Sequence, residues 1–234
     1  TAQLIQENRL MRDASGNTLP WLCPSIPANR ELLLGGIRNL ARLGIQGIHL
    51  DYVRYPEDRG CFAPATRQAF QDRLGASVSA WPADVLPGGQ HAAAFQKFRR
   101  DTITSFVEEA HTLLHTVNPS IRISAAVFPT PDAAASRGQD WPAWIRSDLI
   151  DFACPMIYTE NTADFAASLD ACLAVAPAST LVPGLGTGAD DCQLDVSLAA
   201  SQLALVRSHH LAGLAFFAVD DELLTAILPG LFRK

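Results

Sequence analysis

The segment 47–56, which reads Gly-Ile-His-Leu-Asp-Tyr-Val-Arg-Tyr-Pro, constrains the fold more than any other part of this sequence. It reads as a buried strand that runs directly into a charged and aromatic loop. Side chains alternate along a strand, so Ile48 and Leu50 share one face and Asp51 lies on the other. A carboxylate at the carboxyl end of a strand is typical of the reactive end of an α/β barrel. The same carboxylate could instead cap the loop or pair with Arg54.

Strand and helix patterns alternate along the rest of the chain. Short apolar runs predict strands at about 46–52, 121–128, 150–158, 181–186 and 213–219. Apolar periodicity and end signals predict helices at about 25–44, 64–74, 92–116, 141–145, 162–175 and 194–209, and then a short final helix. This alternation predicts a parallel sheet with right-handed crossovers, which is either a doubly wound sheet or a barrel.

Two observations favour the barrel. Polar and aromatic residues follow the predicted strands, namely Asp51, Tyr55, Phe128, Tyr158 and Asp220. No G-x-G-x-x-G follows the first strand, so the dinucleotide-binding fingerprint is missing. An eight-fold barrel needs eight strands and the sequence offers five. We therefore expect one (β/α) barrel domain over 1–234 that lacks its three N-terminal units or is otherwise incomplete.

The composition and charge of the chain limit the kinds of partner that it is expected to bind. The chain has 234 residues, of which 48% are hydrophobic and 18% charged, as in ordinary globular domains. A net charge of −6 without a Lys/Arg cluster argues against a nucleic-acid partner. No apolar run approaches the roughly 18 residues of a membrane span. The chain opens on Thr1, with neither an initiator Met nor a signal peptide, so we expect a processed product or a fragment of a longer protein.

The cysteines carry little functional information in the sequence. They are Cys23, Cys61, Cys154, Cys172 and Cys192. No pair has C-x-x-C spacing, which argues against a zinc ribbon or a thioredoxin-type motif. The odd number leaves at least one thiol unpaired within the chain. We expect no metal and no cofactor, although Asp190 and Asp191 could bind a cation.

Four motifs carry a resemblance to a known family. They are Trp21–Ser25, His49–Pro56, Phe98–Ile103 and Cys154–Tyr158, and in this order they resemble the glycosyl-hydrolase-like family 10 domain. The resemblance implies a (β/α)₈ barrel, of which this chain holds strands four to eight. It also implies an exported or cell-envelope location and an activity on a bacterial polysaccharide, with peptidoglycan glycan strands as one candidate.

The sequence departs from related patterns at two positions. Many members of the family carry two adjacent acids on strand four, where this chain has Asp51 followed by Tyr52. Chitinase-type barrels are also similar here, and their acidic Glu falls at Val53. A chitinase mechanism is therefore not expected.

Cleavage of a glycosidic bond normally needs two carboxyl groups, about 5 Å apart for retention and roughly 6.5–9.5 Å apart for inversion. Asp51 is the first candidate, as nucleophile or stabilising carboxylate. Glu160 is the best-placed second one, as acid/base. Asp220 and Asp221 compete with it, and Glu57 lies farther out in a loop.

Other residues could hold the sugar. The candidates are His49, Arg54, Tyr55, Arg100, Trp141 and Tyr158. Arg54 could keep Asp51 ionised or could bind a substrate carboxylate. His49 is expected below Asp51, as a core histidine bonded to that carboxylate or in a direct role. Trp141 could equally be ordinary core packing, and Arg100 could face either the site or solvent.

Three functions stay open from the sequence. The first is a glycoside hydrolase that acts on a polysaccharide or oligosaccharide. The second is a carbohydrate-binding barrel that has lost its catalytic acids. The third is a structural remnant, which would expose strand edges and apolar surface. The sequence gives no indication of the oligomeric state.

Overall fold

The computed structural model of the chain describes residues 2–56, 60–189 and 192–232. The chain divides into two compact units. The first comprises Thr1–Ile48, Tyr52–Ile121 and Ala135–Asp140, and the second comprises His49–Asp51, Arg122–Ala134 and Trp141–Lys234. The expectation of one barrel domain over 1–234 stays a prediction.

The first unit is mainly helical. Its elements are α1 (Ala2–Gln6), the antiparallel strands β1 (Leu10–Arg12) and β2 (Thr18–Leu22), α2 (Pro27–Ala41), the start of β3 (Gly47–Leu50), α3 (Pro64–Leu74), a 3₁₀ turn (Ala83–Val85) and α4 (Ala92–Val117). The pair β1–β2 was not predicted, because its strands are short and one contains proline. The three long helices fall where the sequence predicts them.

Local signals explain how these helices begin and end. Pro27 occupies the first turn of α2, where its missing N–H costs nothing. The N-cap is Ile26, which makes no side-chain hydrogen bond. Gly75 ends α3 in the left-handed conformation at φ 69°. An aromatic cluster that includes Phe70, Phe95 and Phe98 joins α3 to α4 and forms the core of this unit.

The second unit alternates strands and helices. Its elements are the end of β3, β4 (Arg122–Val127), the start of α5 (Pro131–Ser136), α6 (Trp141–Arg146), β5 (Phe152–Pro155), α7 (Thr162–Leu173), a 3₁₀ turn (Ala178–Thr180), β6 (Gly184–Gly186), α8 (Val196–Ser208), β7 (Ala215–Phe217), a π-helical segment (Leu223–Ile227) and α9 (Leu228–Phe232). The predicted alternation is confirmed, although β5, β6 and β7 are shorter than expected.

Strands that follow one another in the chain are neighbours in space. The sheet order is β3-β4-β5, with β4 and β5 parallel. A parallel bridge between Met156 and Gly184 continues from β5 to β6, and β6 pairs in parallel with β7. The structure is therefore α/β with a parallel sheet, as expected. The assignment of these strands as four to eight of a barrel stays a prediction.

Capped helices enclose the core of the second unit. The Asn161 side chain accepts hydrogen bonds at the start of α7, and the Asp195 carboxylate accepts one from Leu198 N–H at the start of α8. Phe165 and Leu169 on α7 are fully buried, and both belong to an apolar cluster that also contains Leu185 of β6. This cluster fixes the strands whose ends carry the candidate site.

Apolar side chains are exposed on and after α2. Leu33 and Leu40 on α2 are 45% and 50% exposed, and Leu43 after it is 76% exposed. The third alternative from the sequence anticipates exposed apolar surface of this kind. No helix in the described ranges is both long and apolar enough to span a bilayer.

The core of the second unit should be sensitive to truncation at Phe165. We expect Phe165→Ala to lower the free energy of unfolding by about 3–5 kcal/mol, because it removes a fully buried ring and leaves a cavity. Leu43→Ala is the matched control at an exposed position and should change it by less than about 0.5 kcal/mol. Urea denaturation followed by circular dichroism measures both. Equal midpoints for the two variants would contradict this packing.

Candidate active site

Polar side chains of the second unit follow its strands. Asp51 comes directly after β3, Tyr158 and Glu160 follow β5, and Asp220 follows β7. In a parallel sheet the carboxyl ends of neighbouring strands meet at one edge, which is where α/β proteins bind ligands. The predicted carboxylates Asp51, Glu160 and Asp220 are all exposed. This edge is therefore the candidate site.

His49 is fixed from the neighbouring strand. Its Nδ1 lies 2.9 Å from the Oγ of Ser124, a buried residue of β4. Desolvation lowers the pKa of the His49 imidazole, and the negative charge of Asp51 opposes this effect. His49 is therefore neutral at pH 7. Ser124 was not identified from the sequence, since a lone serine in a strand has no distinctive pattern.

Tyr158 lies against β6 and faces the last strand. A Cβ on Gly184 would come within 3.0 Å of the Tyr158 ring, so a side chain there would have to displace the ring by a few tenths of an ångström. The ring also stacks on Phe217, with centroids 5.4 Å apart and planes inclined by 13°. Burial raises the pKa of Tyr158 to about 12, and the negative charge of Asp51 adds to the effect. Tyr158 is therefore a hydrogen-bond donor within electrostatic range of Asp51.

Glu160 is held by the backbone of a loop after β6. Its Oε1 accepts a hydrogen bond from Gln193 N–H at 3.0 Å. Burial raises the pKa of the neighbouring Cys192 thiol, and the charge of Glu160 contributes to this shift. One carboxylate oxygen of Glu160 is thus positioned by the protein.

Asp220 has a structural role in addition to its place at the strand end. Its Oδ1 accepts a hydrogen bond from Leu223 N–H at 2.8 Å, where the final helical segment begins. The neighbouring glycine-rich loop is also engaged, since Thr187 N–H and Gly188 N–H both donate to the carbonyl of Phe217. These backbone donors are used within the fold, which argues against a phosphate-binding loop here.

The first unit carries an aromatic and cationic cluster. The Arg54 guanidinium carbon lies 5.1 Å from the ring centres of both Trp21 and Tyr52, and these two rings are 5.3 Å apart in an edge-on arrangement. Tyr52 is 62% exposed and adopts φ 56°. Trp21 and Tyr52 were not among the predicted site residues, although both lie in motifs that carry the family resemblance. The two roles considered for Arg54 stay predictions.

Two predicted substrate-binding residues are buried instead. Tyr55 is 0% exposed, with the Arg99 guanidinium 4.5 Å from its ring centre, and burial raises its pKa. Trp141 is also 0% exposed, and its Nε1 donates to the carbonyl of Phe128 at 3.1 Å. Neither ring offers a surface to a sugar, so the expectation that they contact substrate is not met. Arg100 is partly exposed on α4, and its role stays a prediction.

The other acids considered from the sequence fall into two groups. Glu57, Asp190 and Asp191 lie outside the described residues. Asp221 is exposed beside Asp220, and Val53 is a buried apolar residue. Within the described ranges, no three His, Cys, Asp or Glu side chains are grouped as metal ligands would be.

The glycines of β6 should be intolerant of side chains. A Cβ on Gly186 would lie 2.8 Å from the Sγ of Cys192 and 3.1 Å from the Cβ of Tyr158. We expect Gly186→Ala to lower the free energy of unfolding by about 1–3 kcal/mol through overpacking. Gly35→Ala on α2 meets no atom within 4 Å and should instead raise it by about 0.5–1 kcal/mol. Thermal unfolding compares them, and a stabilising Gly186→Ala would refute the close contact.

The His49 environment should appear in a pH titration. Because the pKa of His49 is lowered on folding, the unfolded chain binds the proton first, and stability falls as pH drops below about 6.5. We expect the Tm of the wild type to fall more than that of His49→Gln between about pH 7.5 and about pH 5. NMR titration of the imidazole should show a further lowered pKa in Asp51→Asn, since that variant removes the opposing charge. An unchanged His49 pKa in Asp51→Asn would show that the charge of Asp51 does not act on the imidazole.

Comparison with known proteins agrees with this architecture. The glycoside hydrolase domain of PgaB (BpsB) from Bordetella bronchiseptica matches with a TM-score of 0.73 and 13% identity over 90% of this chain. The GH42 β-galactosidase Gan42B from G. stearothermophilus gives 0.65 and 17% over 93%. The spore cortex-lytic enzyme SleL from Bacillus megaterium gives 0.54 and 12% over 83%. The chain spans 64%, 39% and 50% of these three structures, respectively.

At these identities the structural likeness shows the fold, which is that of (β/α)-barrel glycoside hydrolases. No curated protein sequence gave a significant match. The family model described as "Glycosyl hydrolase-like 10" matches residues 2–186, which is most of the chain. The chain therefore belongs to the glycosyl hydrolase-like 10 family.

Proposed function

We propose that this chain is a glycoside hydrolase domain that cleaves O-glycosidic bonds in a bacterial polysaccharide. The observation that carries the proposal is the set of exposed carboxylates Asp51, Glu160 and Asp220 after parallel strands of one unit, with Tyr158 within electrostatic range of Asp51. Paired carboxyl groups at such an edge are what glycosidic cleavage requires. Family membership supports the same reaction class.

In the proposed mechanism Asp51 acts as the nucleophile or stabilises the developing positive charge on the sugar. Glu160 protonates the leaving oxygen and then activates water, since its exposed side chain is fixed through one oxygen by Gln193 N–H. Asp220 is the competing second carboxylate, but its Oδ1 already caps a helix. A general acid must carry a proton in the resting enzyme, and protonation of Asp220 would weaken that cap.

Neighbouring side chains would position the sugar. Tyr158 keeps its proton up to about pH 12, so it can donate a hydrogen bond to a sugar hydroxyl at any physiological pH. His49 is neutral and, through Ser124, holds a fixed orientation beside Asp51. Phe217 is 48% exposed and stacks on Tyr158, which gives an aromatic surface suited to a pyranose ring.

A bacterial envelope or spore glycan fits the substrate class best. Among structures with this fold, SleL is described as a spore cortex-lytic enzyme and PgaB contains a glycoside hydrolase domain. In the first unit, Arg54 between Trp21 and Tyr52 offers a cation beside aromatic faces, which suits a glycan that carries carboxylates. We propose an exported protein on the same grounds.

A carbohydrate-binding barrel is the second candidate. The observation that favours it is Val53, buried at the position where chitinase-type barrels carry their acid. The partly exposed Tyr158–Phe217 stack would bind sugars whether or not the carboxylates act. Binding and cleavage are separated by measuring both on the same substrates.

Substitution of the carboxylates tests the hydrolase. We expect Asp51→Asn and Glu160→Gln to lower reducing-sugar release from peptidoglycan or a panel of other bacterial polysaccharides by about 10²- to 10⁴-fold. Both variants keep the size of the side chain, and Glu160→Gln keeps an acceptor for Gln193 N–H. Asp220→Asn preserves the helix cap and should lower the rate less than Glu160→Gln does.

Asp170→Asn is the matched control, because Asp170 is an exposed carboxylate on α7 away from the strand ends. It should leave the rate within about twofold of the wild type. Release that is equally fast in all four variants would exclude the assigned carboxylates. Absence of release from every glycan, with binding retained in a pull-down with the insoluble polymer, would favour the carbohydrate-binding barrel.

A further inference from the structure

Two cysteines far apart in the chain meet in the core of the first unit. Cys23 follows β2 and Cys61 precedes α3, and they are separated by 38 positions. Their Sγ atoms lie 3.5 Å apart, and both residues are 0% exposed. The hydroxyl of buried Thr66 lies 3.2 Å from the Sγ of Cys23 and fixes it from α3. This pair could not be predicted from the sequence, because the two cysteines are not part of a C-x-x-C motif or any other local pattern.

We propose that Cys23 and Cys61 form a disulfide bond when the chain folds under oxidising conditions. A disulfide needs its two sulfurs about 2.05 Å apart, so a displacement of roughly 1.5 Å shared between two side chains would close the bond. The pair is already enclosed by the fold, which keeps the two thiols together once they are buried. A disulfide of this kind suits the proposed export, but the argument depends only on the geometry of the first unit.

The bond forms by thiol–disulfide exchange with a disulfide oxidant, either a low-molecular-weight disulfide or an oxidoreductase. The thiolate of Cys61 attacks one sulfur of the oxidant, and the other sulfur leaves as a thiolate. Cys23 then loses its proton to that thiolate and attacks the Cys61 sulfur, releasing the second thiol. Two protein thiols and one oxidant disulfide thus become one protein disulfide and two small thiols. The exchange takes place before the first unit has finished folding, since both sulfurs are buried in the folded structure.

Electrostatics favour Cys61 as the attacking group. The hydrogen bond with the Cys23 thiol lowers the pKa of Cys61, against the effect of burial, with Thr66 contributing in the same direction. Cys23 has a raised pKa, caused first by its interaction with Cys61 and then by burial. The thiolate is the reactive form, so this direction favours Cys61 as the nucleophile once the two thiols lie side by side and before they are buried.

The remaining cysteines have no such arrangement and belong to the second unit. Burial raises the pKa of Cys154 to about 11 and that of Cys172 to about 12, so both stay protonated at neutral pH. The Cys172 thiol donates to the carbonyl of Pro129 at 3.1 Å, and Cys192 packs against Gly186. One disulfide and three thiols account for all five cysteines.

The disulfide would stabilise the aromatic and cationic cluster of the first unit. Cys23 comes two residues after Trp21, and Cys61 follows the loop that carries Tyr52 and Arg54. A covalent link between these two segments limits how far Trp21 can separate from its partners. It also closes a loop of moderate length in the unfolded chain, which destabilises that state.

Thiol counting after refolding tests the proposal. The full chain is refolded with a mixture of reduced and oxidised glutathione, denatured and titrated for thiols, and digested for mass spectrometry. We expect three thiols, against five in the chain refolded with excess reductant, and a cross-linked peptide that contains Cys23 and Cys61. The Tm of the oxidised chain should exceed that of the reduced chain by roughly 5–10 °C.

Two variants make the assignment specific. Cys23→Ala/Cys61→Ala should show the same Tm with and without reductant, whereas Cys154→Ala should keep the difference and titrate two thiols after oxidation. Five thiols in the oxidised wild type, or a cross-link that includes Cys154, Cys172 or Cys192, would overturn the proposal. The thiol count and the peptide map use the wild-type chain, so they decide the question even if the double variant does not fold.

Discussion

The close approach of the Tyr158 ring to Gly184 of β6 is the contact on which the candidate site depends. A Cβ on Gly184 would come within 3.0 Å of the ring, so the ring takes space that a side chain would fill on an ordinary strand. The ring then reaches Phe217 on β7 and comes within range of the charge on Asp51. Three strand ends are thereby joined through one aromatic side chain. The apolar cluster beneath, centred on Phe165 and Leu185, holds β6 in place for this contact.

Much of the fold could be predicted because its signals are local. Pro27, Gly75 and the apolar periodicity of α4 mark helices directly, and the short apolar runs locate the strands. The strands β1 and β2 were not predicted, because they are short, β2 contains Pro20, and apolar and polar residues do not clearly alternate along them. The exposure of the leucines on α2 could not be predicted for another reason. Periodicity shows that leucines share a face, but only tertiary structure shows whether anything covers them.

Site residues could be predicted where their position directly after a strand determines their location. They could not be predicted where tertiary packing determines whether a side chain is buried or exposed. Asp51, Glu160 and Tyr158 were identified from their positions after apolar runs, and the structure places all of them in one unit. Tyr55 also follows an apolar run, but its side chain is buried in the core, where Gly138 leaves room for the ring. Trp141 likewise contributes to the core through its hydrogen bond to Phe128. Aromatic residues near strand ends thus divide between surface and core for reasons that no local pattern records.

The tyrosines of this chain occupy three different environments. Tyr55 is enclosed, Tyr52 is largely open to water, and Tyr158 lies between the two, with a pKa of about 12. Phenolate formation changes near-ultraviolet absorbance, so an alkaline titration would resolve the side chains without a label. A sugar that stacks on Phe217 and bonds to the Tyr158 hydroxyl would shift only the ionisation of that phenol. Under the proposed function, the phenol of Tyr158 would therefore report sugar binding through its absorbance.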